Sequence, residues 1–561
     1  MPGRPRRSKR GCMSFRLSLL ALAFLSLTVP AWAEPTGDGI QPNGAPSPAN
    51  ATVAPAVPVP TFSGDLAHAL ETPGLPQSLA ALGLDPASLN DFYKARPEPL
   101  WVDDQGLTAR GHALLDALWH AATAGCPNIA NAIAHAQGLA KADTTPERVE
   151  LELTLTGALA EAAFAAVAPF EATTKTELLD RIDAADIAGS MAELLPRDAD
   201  YWALVGGFWK YLDLANAGGW PAMATGPKLE AGMKDPRVKE LRARLAVTDG
   251  AVLDVPEPDL FDPQLVEAVE TFQRRHGLGD DGVVGFKSVD ALNVPIASRL
   301  QTIAYNLKKR HDAGTDWGNR YIVVNIAAAT MRFVDGGQKV YETNTVVGRN
   351  DRQTPELDSA VNRLEFNPYW TVPPKIARID LLPKMQKDPG YFAAHGIKIY
   401  SSWEESAEEI DPETIDWNSA DAKAMRYRLR QEPGPENALG PVKFLFPNPY
   451  DVYLHGTNHP DLFVKPARFF SSGCIRLPRP IEFAAVVLRD DPNWSQARID
   501  SVLQGGVNTP VRLAQPIPVH LVYRTAWIDD AGTFEFREDV YGRDRKAMAK
   551  SPPVTIAQAG K

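Results

Sequence analysis

Apolar residues recur at helical spacing through the first half of the chain and give way to short β-branched runs in the second. Order is expected to begin near Leu66, where Leu70, Leu75, Leu79 and Leu82 accumulate, and to stay helical to about residue 225. Residues 112–122 place apolar side chains at 114, 115, 118 and 121. Residues 147–167, opening after Pro146, place Leu151, Leu155 and Leu159 four apart, which predicts a helix. Leu153 falls off that stripe and predicts burial on more than one face. A compact unit follows, with Val238, Leu241 and Leu245 on a helical rhythm. Asp262-Pro263 opens its next helix over Leu265, Val266, Val269 and Phe272. Gly277 closes that helix, Asp281-Gly282 turns the chain, and a last short helix runs from Ser288 to near Leu292.

A helical connector at 298–311 leads into a change of class. Residues 321–326 are β-branched, and runs at 330–334 and 339–347 flank the hairpin signal Asp335-Gly336-Gly337. Further strands are predicted at 443–446, 451–456, 510–513, 519–524 and 533–537. Residues 375–436 interrupt them with Pro, Trp and charged helical material, an insertion of the kind that often serves as a lid. The fold class is therefore multidomain α+β. A helical scaffold (64–227) and a three-helix module (228–296) precede a connector (297–318) and a mainly β domain (319–545) with a lid at about 383–432. Residues 546–561 read as a tail.

The chain start changes the picture of where this protein works. Arg4, Arg6, Arg7, Lys9, Arg10 and Arg16 precede the apolar run 17–29, and Ala31-Trp32-Ala33 offers a small-x-small cleavage site. Residues 1–33 thus read as a secretory signal, followed by a Pro/Ala-rich linker at 34–63. An uncleaved anchor at the inner membrane is the alternative. Losing six basic side chains moves the formal charge from -11 to -17, an acidic body that argues against nucleic acid as a partner. Cys12 leaves with the signal, so Cys126 and Cys474 remain, too few for a disulfide scaffold.

Candidate chemistry concentrates in DVYLHGTNHPDLFVKPARFFSSGCIRLPRP at 451–480. An extended 451–456 sets Asp451, Tyr453 and His455 on one face, with Val452 and Leu454 toward the core and His455 at a solvent-accessible sheet margin. Ser472, Cys474 and Arg476 share a side in the second half. An imidazole beside a thiol is the common way to make a nucleophilic thiolate near neutral pH. The small residues before Cys474 let a carbonyl approach and leave the Gly473 and Cys474 amides as oxyanion donors. Arg476 can anchor a carboxylate or support charge on the carbonyl oxygen. Other readings are an inert buried Cys474, a Cys126–Cys474 disulfide, a packing role for Tyr453 and an ion pair for Arg476. A zinc site at His455 and His459 is disfavoured, because Gly456, Asn458 and Pro460 make a poor helix.

HGT at 455–457 followed by SSGCIRL at 471–477 resembles the YkuD-type L,D-transpeptidase motif in residue order. VVGRNDRQTP at 346–355, NPYWTVPPKIAR at 367–378 and ALGPVKFLFPN at 438–448 extend the likeness. Ser472 stands where many members carry His, as in the long, YcbB-like periplasmic branch. FQRRHGL at 272–278 with the following DG turn resembles a peptidoglycan-binding module. The resemblance implies Cys474 as nucleophile, His455 as base and acid, Gly473 and Cys474 as oxyanion donors, and Tyr453, Arg476 and Ser472 as positioning residues. It implies 3–3 cross-linking of peptidoglycan through a cysteinyl thioester on a tetrapeptide stem, with release of D-alanine and no metal or organic cofactor. The expected partners are stem peptides, glycan and carbapenems, with other wall-synthesis enzymes as further candidates, and the expected location is the periplasm. Hydrolysis of the same thioester, its transfer to a protein lysine, and a non-catalytic wall-binding role are the competing functions.

Overall fold

The structure is a computed structural model that describes residues 62–71 and 82–550, apart from 97, 124–126, 142–143, 183–184, 252, 315–316 and 389. The expected signal and linker up to residue 61, Cys126 and residues 551–561 lie outside the described residues. The described residues open with a helix Phe62–Glu71, four residues before Leu66. A helix Arg543–Met548 runs past the expected end of the β domain. Among the described residues no helix is long and apolar enough to cross a membrane.

The scaffold forms around the helix Thr145–Val167. A capping box between Thr144 and Glu147 and a proline in the first turn start it, as Pro146 led one to expect. Leu151, Leu153, Leu155 and Leu159 are all buried, so this helix is enclosed on every side rather than along one stripe. Glu152 is buried within it and accepts N–H bonds from Leu100 (2.8 Å), Trp101 (2.9 Å) and Val102 (2.9 Å), with Tyr93 Oη donating a fourth at 2.8 Å. Three consecutive amides that would otherwise be orphaned are satisfied by one carboxylate, which is how an irregular segment survives burial.

The three-helix module follows its sequence signals closely. Asp262 caps the helix Pro263–Arg275 by accepting from Leu265 N, and Gly277, at φ +67°, ends it. Gln273 then ties the turn down, donating to Val283 O (2.9 Å) and accepting from Gly282 N (2.9 Å).

The β domain is one curled sheet. Its strands are β1 (Tyr321–Asn325), β2 (Thr330–Asp335), β3 (Gln338–Asn344), β4 (Leu357–Phe366), β5 (Val442–Leu445), β6 (Leu454–His455), β7 (Ile475–Arg476) and β8 (Thr509–Val522). They lie in the order β7-β6-β5-β4-β8-β1-β2-β3. Only β8 with β1 and β6 with β7 pair in parallel. The sequence pattern misses β4, whose Asp358, Asn362 and Arg363 break the alternation. It also divides β8 in two at Pro516 and Pro518, where the strand runs on through a register shift between Arg512 and Ile517.

The insertion differs from the helical expectation. Its centre is a four-stranded sheet in the order Glu409–Ile410, Ile397–Tyr400, Arg428–Gln431, Trp370–Thr371. Its own core includes Phe392, Ile399, Trp417 and Leu429. Short strands rich in Lys and Arg hide this, because only alternate positions face inward. The hairpin of Ala526–Ile528 and Phe534–Phe536 leaves the main sheet and enters the scaffold core. There Phe534 lies so close to Gly207 that a Cβ on Gly207 would sit 2.5 Å from its ring.

Replacing Glu152 with Ala should leave the three amides unpaired and lower stability by about 3 kcal/mol or more. Thermal denaturation should show the loss, and an unchanged melting temperature would contradict this account of the scaffold.

Candidate active site

Two residues of parallel pairing assemble the site. Leu454 lies opposite Ile475 and His455 opposite Arg476. Ile475 N donates to Tyr453 O at 3.1 Å and Leu477 N to His455 O at 2.7 Å. Leu454 and Ile475 are fully buried, so the alternation turns Tyr453, His455, Cys474 and Arg476 to the opposite face together. The chain from 451 to 453 is not strand as expected. Asp451 takes a positive φ of 53°, and this turn aims its carbonyl at the thiol, with Cys474 Sγ 3.8 Å from Asp451 O.

The loop before Cys474 is held from below. Gly473 adopts φ +121°, a conformation that strains any residue with a Cβ. Its carbonyl accepts from buried Thr354 Oγ1 at 2.8 Å, and that hydroxyl also accepts from Gly348 N at 2.9 Å. Ser471 Oγ donates to Cys474 O at 2.6 Å and accepts from Gly473 N at 3.1 Å. The Gly473 amide is therefore engaged, contrary to its expected place in an oxyanion hole. The Cys474 amide donates to no described residue. Thr354 did not stand out in the sequence, and Ser471 did so only as one of the small residues before the thiol, since a Ser or Thr in a loop carries no pattern that marks a bracing role.

The electrostatics are those of a dry site. His455 is only 4% exposed, which corrects its expected position at an accessible margin. Burial, reinforced by the nearby Arg476 charge, lowers its pKa to about 3, and hydrogen bonds with the backbone of Gly456 and Leu439 only partly oppose this. Its Nδ1 is buried without a hydrogen-bond partner among the described residues, which leaves that nitrogen uncommitted. Burial raises the half-buried Cys474 thiol to about 11, against the backbone hydrogen bond from Tyr453 and the Arg476 charge. Thiol and imidazole are thus both neutral at rest. Arg476 makes no ion pair among the described residues and its buried Nε has no partner, so it is not the structural salt bridge that was the alternative reading. The Tyr453 ring lies 5.5 Å from that of His455, and burial raises its phenol well above the usual value. Among the described residues no three His, Cys, Asp or Glu side chains gather around a metal position.

Ser472 is exposed, and its Oγ accepts from Arg352 Nη1 at 2.8 Å. The Arg352 side chain, only 6% exposed, also grips Asp380 with both terminal nitrogens, one of them at 2.9 Å. Asp380 lies in a single π-helical turn, Ala377–Leu381, at the root of the insertion. One guanidinium therefore ties the lid to the residue two places before Cys474. The sequence offered Arg352, with Arg349, Tyr369 and Trp370, as either groove lining or plain core and surface, and did not reveal this tie, because its partners lie 28 and 120 residues away.

Three family models match the chain. Residues 319–512 match the YkuD L,D-transpeptidase catalytic domain, 234–292 match a model described as "Putative peptidoglycan binding domain", and 87–167 match the Scaffold domain. A Haemophilus influenzae protein named "Putative L,D-transpeptidase" is 36% identical over 225 residues, which is 40% of this chain and 45% of that protein. The match thus spans about half the length of that relative. A solved L,D-transpeptidase from Stackebrandtia nassauensis is 13% identical, covering 54% of this chain and 96% of its own, with a TM-score of 0.21. One from Xylanimonas cellulosilytica is 15% identical, covering 53% and 99%, with a TM-score of 0.17.

Two outcomes follow from this geometry. The rate of Cys474 alkylation by iodoacetamide should keep rising with pH toward about 11. A plateau reached below the ordinary cysteine range, about 8.5, would overturn the neutral pair. Arg352→Ala should loosen the lid root, seen as faster hydrogen exchange over 377–385, and slow acylation of Cys474 roughly 10-fold through misplacement of its loop. Unchanged exchange there would show that the guanidinium holds nothing.

Proposed function

Starting from a YkuD-type L,D-transpeptidase catalytic domain at residues 319–512, we propose that this protein forms 3–3 cross-links between peptidoglycan stems through a thioester on Cys474. The observation that carries the reading is the pairing of β6 with β7, which sets His455, Tyr453, Cys474 and Arg476 on one face of that domain.

The neutral pair suits a thiol that is activated only as it reacts. Cys474 Sγ attacks the carbonyl of the third, diamino-acid residue of a tetrapeptide stem, and the S–H proton passes to His455. The oxyanion is met by the Cys474 amide, with Arg476 supplying positive charge close by. Collapse breaks the peptide bond, and His455 returns the proton to the departing D-alanine amine. A side-chain amine of a second stem then attacks the thioester, gives its proton to His455, and leaves the new amide as Sγ takes the proton back. His455 is thus base and acid in each half-reaction. Burial that disfavours both charged forms at rest shortens the life of the ion pair to the time substrate is bound. Tyr453 walls the site beside the thiol, and Ser472, held by Arg352, positions the nucleophile loop.

The scaffold, the module at 234–292 and the lid support membership in the YcbB-like branch. The basic-apolar chain start supports export to a periplasm. Attack by water or by a protein lysine would use the same thioester and differ only in the acceptor.

Intact mass spectrometry tests the reading. The mature protein incubated with a carbapenem should gain one adduct, and Cys474→Ala should gain none. With tetrapeptide stems it should release D-alanine and yield a cross-linked dimer. Release of D-alanine with tripeptide alone would shift the reading to a carboxypeptidase. A folded, reduced protein that forms no adduct would shift it to a wall-binding role.

A further inference from the structure

The face that carries Cys474 continues across the sheet. Tyr453 lies beside Cys474, and the register of β6 on β5 sets Leu445 beside Tyr453. Leu445 lies opposite Arg363 on β4, and Arg363 opposite Arg512 on β8. Strands β5, β4 and β8, with the residues that immediately precede β6 and β7, therefore contribute one row: Cys474, Tyr453, Leu445, Arg363, Arg512. Four of these five, all but the cysteine, line a single cleft of about 580 Å³. Asp451, whose carbonyl touches Sγ, lines it too.

The far end of the row is electrostatically unbalanced. Two guanidinium groups directly opposite on neighbouring strands repel each other, a pairing that sheets avoid. Arg363 has a carboxylate neighbour in Glu365 at 3.3 Å, but Glu365 is shared with Lys443 at 2.8 Å. Arg512 is exposed and makes no ion pair among the described residues. Two arginines and a single carboxylate, Asp451, line the cleft and leave it net positive, and a volume of this size suits a small ligand or a peptide segment.

We propose that Arg363 and Arg512 bind a carboxylate of the donor stem, one other than the carboxylate that departs with D-alanine. The distances suit this. Three strand spacings, about 14 Å, separate the backbones of Cys474 and Arg363. The three residues that stay on the acyl side of the attacked carbonyl reach about 10 Å when extended, and the long arginine side chains span the remainder. A stem acylating Cys474 and lying along the row therefore brings its earlier residues under the two arginine side chains. Arg476, on the neighbouring row beside His455, is left for charge at the reacting carbonyl. The cleft would thus select stems by a carboxylate remote from the scissile bond. Such remote binding energy can be used to hold the reacting carbonyl in place.

The inference rests on the transpeptidase reading, and its test separates the two. Two tetrapeptide stems are compared, one with its non-terminal carboxylates free and one with them converted to carboxamides. On the wild-type enzyme the amide stem should show a KM about 10-fold higher, the size expected for one lost charge-assisted hydrogen bond. In Arg363→Ala/Arg512→Ala that ratio should collapse toward 1, with the carbapenem adduct on Cys474 reporting that the variant is folded. A ratio of 1 in the wild type, or the wild-type ratio retained in the variant, overturns the assignment. If the wild type releases D-alanine from neither stem, the transpeptidase reading fails. The cleft is then judged by calorimetry on Cys474→Ala, where tighter binding of the acid stem supports it and equal affinity rejects it.

Discussion

Leu454 against Ile475 and His455 against Arg476 are the whole of the parallel contact between β6 and β7, and the site depends on it. Two buried aliphatic side chains fix which way four functional ones point. A slip of one residue would turn Cys474 and Arg476 into the core and put Ile475 on the working face. So short a contact at the edge of a sheet cannot hold its register alone. Thr354 beneath Gly473, Ser471 beneath Cys474, and the bridge from Val346 to Arg476 supply the rest. The segment 346–354 is thus a bracket for the loop that carries Cys474.

The same construction sets the electrostatic character. Packing that holds the loop rigid also removes water, and without water neither a thiolate nor an imidazolium is stable at rest. An unpaired Arg476 adds to the imidazole's reluctance to charge and favours negative charge on the sulfur side. A domain arranged this way waits for a ligand that brings its own charge and completes the site. The lid root, fastened through Arg352 to Ser472, makes the position of the insertion part of that completion.

Much of this was legible in the sequence where a local rule governs. Asp262-Pro263, Gly277 and the periodic Leu run at 151–159 each announce their helix through chemistry confined to a few neighbours. The order of His455 and Cys474, with small residues before the thiol, announced the site. What stayed hidden depends on partners distant along the chain. β4 puts polar residues on the face that floors the working side of the sheet, and adjacent Asn362 and Arg363 break its alternation, so it lacks the apolar signature of a central strand. The lid sheet was masked by Arg428, Arg430 and Lys398 on its outer face. The burial of His455 could not be read from Gly456 following it, because the cover comes from Leu439 and Gly440, which return from the insertion.

The raised pKa of Cys474 has one more consequence, which concerns survival rather than turnover. Peroxide and disulfide exchange both consume thiolate, and a sulfur that stays protonated offers them little to attack. Once oxidised to sulfinic acid, such a residue would be lost for good. The dry pocket therefore acts as a shelf life for the nucleophile. At rest, its surroundings keep the sulfur intact.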